Sequence, residues 1–184
     1  MFTVQKHTWL MALLLGTVAA VTLIAPTQAA HGIDRDVDVA LEKLYESSHL
    51  AKALRTKAKG ILVFPTILKA GFGFGAHYGK GALRVNGSTT GYYNTLGASI
   101  GFQIGLQGFG YALFFMDDDS LSYLDRSDGW EIGVGPSLVI VEVGFGKNFS
   151  STTLKDQVYA FIFDQKGLMV GVSIEGAKIT KIHP

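Results

Sequence analysis

The feature that most constrains the fold is a ten-residue stretch, Ala98–Gln107, in which apolar and small polar residues alternate. Ile100, Phe102, Ile104 and Leu106 occupy one set of alternate positions, and serine, glycine and glutamine occupy the other. A period of two is typical of a β-strand with one apolar face. Glycine-rich stretches of a related kind lie on both sides of it, at Gly71–Gly75, Gly133–Gly135 and Gly144–Gly146.

Glycine is concentrated in this part of the chain. Of the 23 glycines, 17 lie between Gly71 and Gly146. Each glycine inside a strand destabilises it by roughly 0.5–1 kcal/mol relative to alanine. The concentration therefore indicates a geometric requirement, either tight curvature of the sheet or a helix that lies close against it.

An amphipathic helix is predicted before the sheet, over Asp34–Lys59. Asp34 or Asp36 is a suitable N-cap, and Gly60 is a suitable C-terminal stop. Basic residues crowd the last turns, where the helix dipole favours positive charge without any ligand. One face follows three- and four-residue spacing, at Val37, Leu41, Leu44, Ser48, Ala51 and Leu54.

Two β-hairpins are predicted in the remainder of the chain. Asn86-Gly87 supplies the tight turn of the first hairpin, because both residues tolerate positive φ angles. Asp164–Gly167 is the turn of the second, which joins Val158–Phe163 to Leu168–Glu175.

Shorter elements complete the predicted fold. Ile61–Phe64 is predicted as a short strand, and Pro65 either ends it or marks it as an edge strand. Asp117–Asp119 is predicted as the start of a short helix. These carboxylates have the position of an N-cap and lack the spacing of an EF-hand calcium loop. We therefore predict an α+β fold, with an N-terminal amphipathic helix packed on a strongly curved, glycine-rich antiparallel β-sheet or partly closed barrel.

The first 29 residues are predicted to be a cleaved signal peptide. An apolar run, Trp9–Ile24, follows a segment that carries Lys6, and Pro26 interrupts it. Small residues stand at the positions that a signal peptidase reads, so we expect cleavage after Ala29, with the bond after Ala30 as the alternative. Residues 30–184 are the size of one domain. We expect this domain to be periplasmic or secreted and to act at the periphery of a membrane.

Composition argues against several classes of function. The chain has no cysteine, so neither a disulfide nor a thiol nucleophile is available. Removal of Lys6 from the 16 Lys and Arg residues leaves 15, equal to the number of Asp and Glu residues. This balance argues against broad attraction to nucleic acid. No metal-ligand spacing of histidines and no hydrolase motif occurs, so we expect no enzyme activity, no cofactor and no metal site.

Several stretches resemble the SYLF domain family. In chain order they are Ala58–Pro65, Lys69–Gly75, Tyr92-Tyr93, Gly129–Gly133, Ser151–Phe163 and Gln165–Gly176. Together they extend over almost all of residues 30–184. In eukaryotic endocytic proteins the family is a phosphoinositide-binding and actin-binding module, and its bacterial members are exported single domains. The resemblance implies a non-enzymatic lipid-binding domain of the exported bacterial type.

We therefore predict binding to phospholipid head groups, including those of phosphatidylinositol type, at a membrane surface. Aromatic insertion and contacts between basic side chains and phosphate would supply the affinity. The candidate lipid-binding residues are Lys52, Arg55, Lys57, Lys59, Lys69, Lys80 and Arg84. The alternatives are a small outer-membrane structural β-barrel, a protein-interaction module and, ranked last, a hydrolase with an unrecognised site. Protein partners are not specified by the sequence.

Overall fold

A computed structural model describes residues 25–126, 129–144, 155–167 and 176–184. The elements, in chain order, are α1 (Ala25–Ser47), α2 (His49–Leu54), β1 (Gly60–Val85), β2 (Ser88–Phe115), α3 (Asp118–Arg126), β3 (Trp130–Glu131), β4 (Leu138–Glu142), β5 (Val158–Gly167) and β6 (Lys178–Ile182). Most of the predicted signal peptide and the predicted strand Leu168–Glu175 lie outside the described residues. Cleavage after Ala29 stays a prediction.

Two long strands, β1 and β2, form the centre of the fold, and we call this antiparallel pair the ribbon. Its turn is the predicted one, since Asn86 and Gly87 have φ angles of 51° and 82°. Of the two predicted roles of Pro65, the end of the strand is wrong and the edge is confirmed, because β1 continues to Val85 and pairs with β2 alone among the described strands. The ladder shifts register between Phe64 and Ile67, and this irregularity carries the strand past a residue that has no N–H to donate.

The ribbon folds back on itself, and glycine makes the fold-back feasible. A Cβ on Gly81 would collide with the carbonyl oxygen of Val63, and a Cβ on Gly79 would lie 2.8 Å from the carbonyl oxygen of Thr66. A Cβ on Gly71 would lie 2.8 Å from the Cα of Gly75. The inward side of one half of the ribbon therefore rests against the backbone of the other half. These contacts confirm the predicted geometric requirement, because glycine at these positions allows the tight curvature of the sheet.

The two ends of the folded ribbon differ, and we name them. The base is the end with Gly60, the Asn86-Gly87 turn and Phe115, where Gly60 packs near Leu83. The tip is the opposite end, where β1 turns back between Gly71 and Gly75.

The remaining strands extend the ribbon into a strongly curled sheet. Strand β5 pairs with the Gln107–Phe115 part of β2, and β6 pairs with the Tyr92–Leu96 part, both antiparallel. Strand β4 runs parallel to β5, so the sheet is mixed and the expectation of a wholly antiparallel sheet is wrong. Parallel pairing needs a long crossover, and residues 143–157 provide that length. The α+β class and the strong curvature are confirmed.

The predicted single helix is two helices. Ser48 leaves the helical conformation (φ −133°, ψ 106°), and its hydroxyl oxygen accepts a hydrogen bond from the Ala51 N–H at 3.2 Å. Ser48 therefore caps α2. Helix α1 starts at Ala25, so Asp34 lies inside the helix rather than at its N-cap, contrary to the prediction.

Apolar side chains lie on both sides of the sheet at the base. The helices bury their predicted apolar face against one side, through Val37, Ala40, Leu44, Ala51 and Leu54 against Ile61, Val63, Phe114, Phe161 and Phe163. Inside the curl, a second cluster includes Phe64, Tyr93, Phe109, Tyr111, Phe115 and Trp130. The base of the ribbon is therefore anchored in the core.

Helix α3 begins as the acidic triplet predicts. The Ser120 N–H donates a hydrogen bond to the Asp117 carboxylate at 2.7 Å. This bond holds the pKa of Asp117 below its usual value, because it stabilises the charged form.

The glycine contacts predict a sharp difference between two Gly→Ala substitutions. Gly81→Ala should lower the free energy of unfolding by about 1–3 kcal/mol, because the new methyl group has no room beside Val63. Gly108→Ala adds the same atoms in the same ribbon where no heavy atom lies within 4 Å, and it should leave stability nearly unchanged. Urea unfolding followed by circular dichroism measures both. Equal stability of the two variants would contradict the close approach.

Candidate membrane-binding surface

Four of the seven predicted basic residues lie at the base, where α2 leads into β1. Lys52, Arg55, Lys57 and Lys59 are all exposed. The Arg55 guanidinium lies 5.4 Å from the centre of the Tyr45 ring, and the Lys59 Nζ lies 3.8 Å from the Asp118 carboxylate. A carboxylate of α3 therefore lies beside this basic group, and the local charge is mixed.

Arg84 ties the helix layer to the ribbon. Its Nη2 donates to the Asp38 carboxylate at 2.7 Å and to the Asp34 carbonyl oxygen at 3.0 Å, and its Nη1 donates to the Thr89 hydroxyl at 2.6 Å. The Asp34 carboxylate in turn accepts bonds from the Thr89 and Tyr92 hydroxyls, at 2.6 and 2.9 Å. A phosphate would have to displace these partners to bind Arg84.

A cleft of about 540 Å³ opens at the base beside Arg55, Arg84 and the Asn86-Gly87 turn. Its wall also contains Asp38, whose negative charge opposes an anionic head group. The cleft is therefore a poor phosphate site in this arrangement.

Lys69 does not lie on the surface. Its side chain is on the inward face of the ribbon and is 2 % exposed. Burial lowers the pKa of this ammonium group, since a charge taken out of water loses hydration. In this conformation Lys69 cannot contact lipid.

His77 is buried on the same inward face, at 3 % exposure. A Cβ on Gly97 would collide with its ring, so the missing side chain makes room for the imidazole. The ring atom Nε2 has no hydrogen-bond partner. Burial lowers the pKa of His77, and the nearby charge of Lys69 lowers it further.

The outward face of the ribbon is apolar, and sequence reasoning missed it. Leu68, Phe74, Tyr78, Leu96 and Leu106 are 57, 74, 43, 58 and 64 % exposed. Lys80 is exposed on the same face, two residues after Tyr78. Alternation along Lys69–Lys80 shows two faces in the sequence, but it does not show which face turns inward.

A charge signal also points to this segment. No Asp or Glu occurs between Glu46 and Asp117, whereas all seven predicted basic residues do. The structure divides this acid-free segment. At the base, Lys59 lies beside Asp118 of α3 and Arg84 is paired with Asp34 and Asp38 of α1, whereas the parts of β1 and β2 near the tip have no carboxylate.

The described residues hold neither a metal cluster nor a membrane-spanning helix. Within 25–126, 129–144, 155–167 and 176–184, no three His, Asp or Glu side chains could hold a metal ion together. No helix in those ranges has the length and apolar character needed to cross a bilayer.

Part of the chain is similar to a known protein family. Residues 96–183 match the Ysc84 family model, described as the Las17-binding protein actin regulator. The matched region begins in β2 and ends after β6, so it contains most of β2 and all the later elements, but not β1. No curated protein matches the chain significantly.

Burial of His77 predicts a pH dependence of stability. Because the pKa of His77 is lower in the folded protein than its usual 6.5, the unfolded chain takes up a proton that the folded protein does not as the pH falls through that value. Stability should therefore fall between pH 7.5 and 5.5, and His77→Gln should reduce that fall. Urea midpoints at the two pH values measure it.

His49→Gln is the matched control, because His49 is exposed. The low-pKa carboxylates Asp117 and Asp164 titrate below this pH range. An unchanged pH dependence in His77→Gln would contradict the burial of an uncharged imidazole.

Proposed function

We propose that this protein is a non-enzymatic domain that binds anionic phospholipid membranes at their surface. The Ysc84 model describes the SYLF domain family, and through residues 96–183 the chain belongs to that family. The family is one of binding modules rather than of known enzymes. Its lipid- and actin-binding character supports a membrane-interacting role. To this family role the proposal adds the class of lipid that is bound and the surface of the protein that contacts it.

The observation that carries the proposal is the charge on the outward face of the ribbon. Between Lys69 and Gln107 the chain has no carboxylate, and Lys80 is exposed there beside apolar side chains. Neighbouring strands add Lys166 opposite Gly108 and Lys178 opposite Leu96. Asp164 lies 3.2 Å from Lys166, and Glu131 stands opposite Lys178 in the register. Because each of these two lysines has a carboxylate beside it, they add little net charge, and the attraction of this face to anionic lipid rests on Lys80.

The basic residues at the base fit this role less well. Arg84 is paired with Asp34 and Asp38, and Lys59 lies beside Asp118. A surface of mixed charge gains little from an anionic membrane, because attraction and repulsion offset each other. We therefore propose Lys80 as the principal head-group contact of the seven predicted residues, with Lys52, Arg55 and Lys57 as more distant contributors.

Two finer points belong to the same proposal. The family resemblance supports a head group of phosphatidylinositol type, whose clustered phosphates would interact strongly with lysine. The signal-peptide pattern over residues 1–29 supports action outside the cytoplasm, so the lipid would belong to the outward-facing side of a membrane.

Charge-reversal variants test whether the ribbon or the base faces the membrane. Lys80→Glu should weaken binding to vesicles of phosphatidylcholine with about 30 mol % phosphatidylglycerol by at least about fivefold, because each basic residue near such a surface contributes roughly 1 kcal/mol. Lys52→Glu makes the same charge change at the base and should have a smaller effect. Co-sedimentation of the processed protein measures both, after mass spectrometry has established its N-terminus.

Salt and lipid composition provide the remaining controls. Binding should fall when the salt concentration is raised from about 0.1 to about 0.5 M, since the Debye length shortens. Vesicles of phosphatidylcholine alone should bind much less. If the wild-type protein binds neither kind of vesicle, the proposed function is wrong. If Lys52→Glu weakens binding more than Lys80→Glu, the base faces the membrane.

A further inference from the structure

We propose that the tip half of the ribbon inserts its outward apolar side chains into the hydrocarbon edge of the bilayer. The proposal rests on the proposed function and adds the mode of attachment. The occupant of this surface is the lipid bilayer, and Lys80 stays at the level of the head groups.

The polarity of the ribbon near its tip is the inverse of that expected for a surface element in water. Its inward face buries Lys69, His77, Thr95 and Gln107. Its outward face exposes large apolar side chains, and five of the seven such residues among the described parts of the chain lie on the ribbon. Several large exposed apolar side chains gathered on one structural element indicate an interaction site. The inversion suits a surrounding medium that is less polar than water.

The arrangement of the exposed side chains favours a fluid partner. The inward faces of the two halves meet through Gly79 and Gly81, so their outward faces point away from each other. Leu68 and Leu106 therefore lie on one side of the folded ribbon, and Tyr78 and Leu96 on the other. A rigid partner that covers one side leaves the other exposed, whereas lipid chains can surround both.

The order of side chains along β1 matches depth in a membrane. From the tip towards the base, the outward face carries Phe74, Ala76, Tyr78 and then Lys80. Aromatic residues with a polar end favour the interfacial zone, and lysine extends its ammonium group to the head groups. Phe74 lies six residues of strand, or about 20 Å, beyond Lys80, so Phe74 can reach the hydrocarbon while the ammonium group of Lys80 stays among the head groups.

The absence of carboxylates from the ribbon makes insertion feasible. A charged group buried in hydrocarbon is costly, and the outward positions from Leu68 to Tyr78 carry no charge. The buried cation Lys69 lies on the inward face, where the ribbon itself shields it from lipid.

The test compares two double variants at about 0.5 M salt, where screening removes most of the electrostatic attraction. Phe74→Gln with Leu96→Gln should weaken binding of the processed protein to the phosphatidylglycerol-containing vesicles by at least about tenfold, because two apolar side chains no longer leave water. Val39→Gln with Val134→Gln removes exposed apolar side chains outside the ribbon and should leave binding unchanged. Thermal unfolding establishes that both variants are folded.

A second measurement keeps the proposal testable if the ribbon variant does not fold. The chain has no cysteine, so Phe74→Cys and Val134→Cys each give a single labelling site for an environment-sensitive fluorophore. At position 74 vesicles should shift the emission to the blue, and nitroxide lipids should quench it. At position 134 neither change should occur.

The outcomes separate this proposal from the proposed function. Absence of binding by the wild-type protein at both salt concentrations overturns both. Binding by the wild type that the ribbon variant retains in full, with no shift of the label at position 74, overturns insertion and leaves peripheral binding intact. A wild-type dimer in sedimentation velocity that the ribbon variant abolishes identifies a second copy as the occupant and also overturns insertion.

Discussion

The close approach of the two halves of the ribbon is the constraint on which the rest of the structure depends. Gly79 and Gly81 let one half rest against the backbone of the other around Val63 and Thr66, at distances that a side chain would prevent. The fold-back places Tyr111 against Thr95, whose hydroxyls lie 3.0 Å apart. Without these glycines the ribbon would open, and the inner apolar cluster would lose its enclosure.

The fold-back also decides which side chains meet the surroundings. Because the inward face is enclosed, it can hold His77 against Gly97 and bury Lys69 out of contact with water. The outward face then presents Phe74 and its apolar neighbours near the tip. The polarity of the tip therefore follows from the geometry of the glycines, and the proposed contact with lipid follows from that polarity.

Local chemistry was predictable from the sequence, whereas long-range placement was not. Asn86-Gly87 specifies its own turn, and Asp117 its own cap, because each acts within three residues. Ser48 and Pro65 carry local signals as well, a side-chain cap and a missing N–H, but neither signal fixes whether the helix breaks or the strand continues there. Lys69 and Lys80 stand in similar glycine-rich surroundings, yet one is buried and one exposed. Their positions alternate along the strand, but this separates them only when the inward face is known. The absence of carboxylates between Glu46 and Asp117 pointed to this segment of the chain, but it did not distinguish the two lysines.

Hydroxyl-radical footprinting of the unaltered protein tests the central claim most directly, because it reports the solvent exposure of individual side chains. With anionic vesicles, Phe74, Leu96 and Leu106 should become protected from oxidation, while Val39 and Val134 should react as they do in free protein. Vesicle-bound protein in which the ribbon side chains stay reactive, and residues at the base become protected instead, would contradict the account.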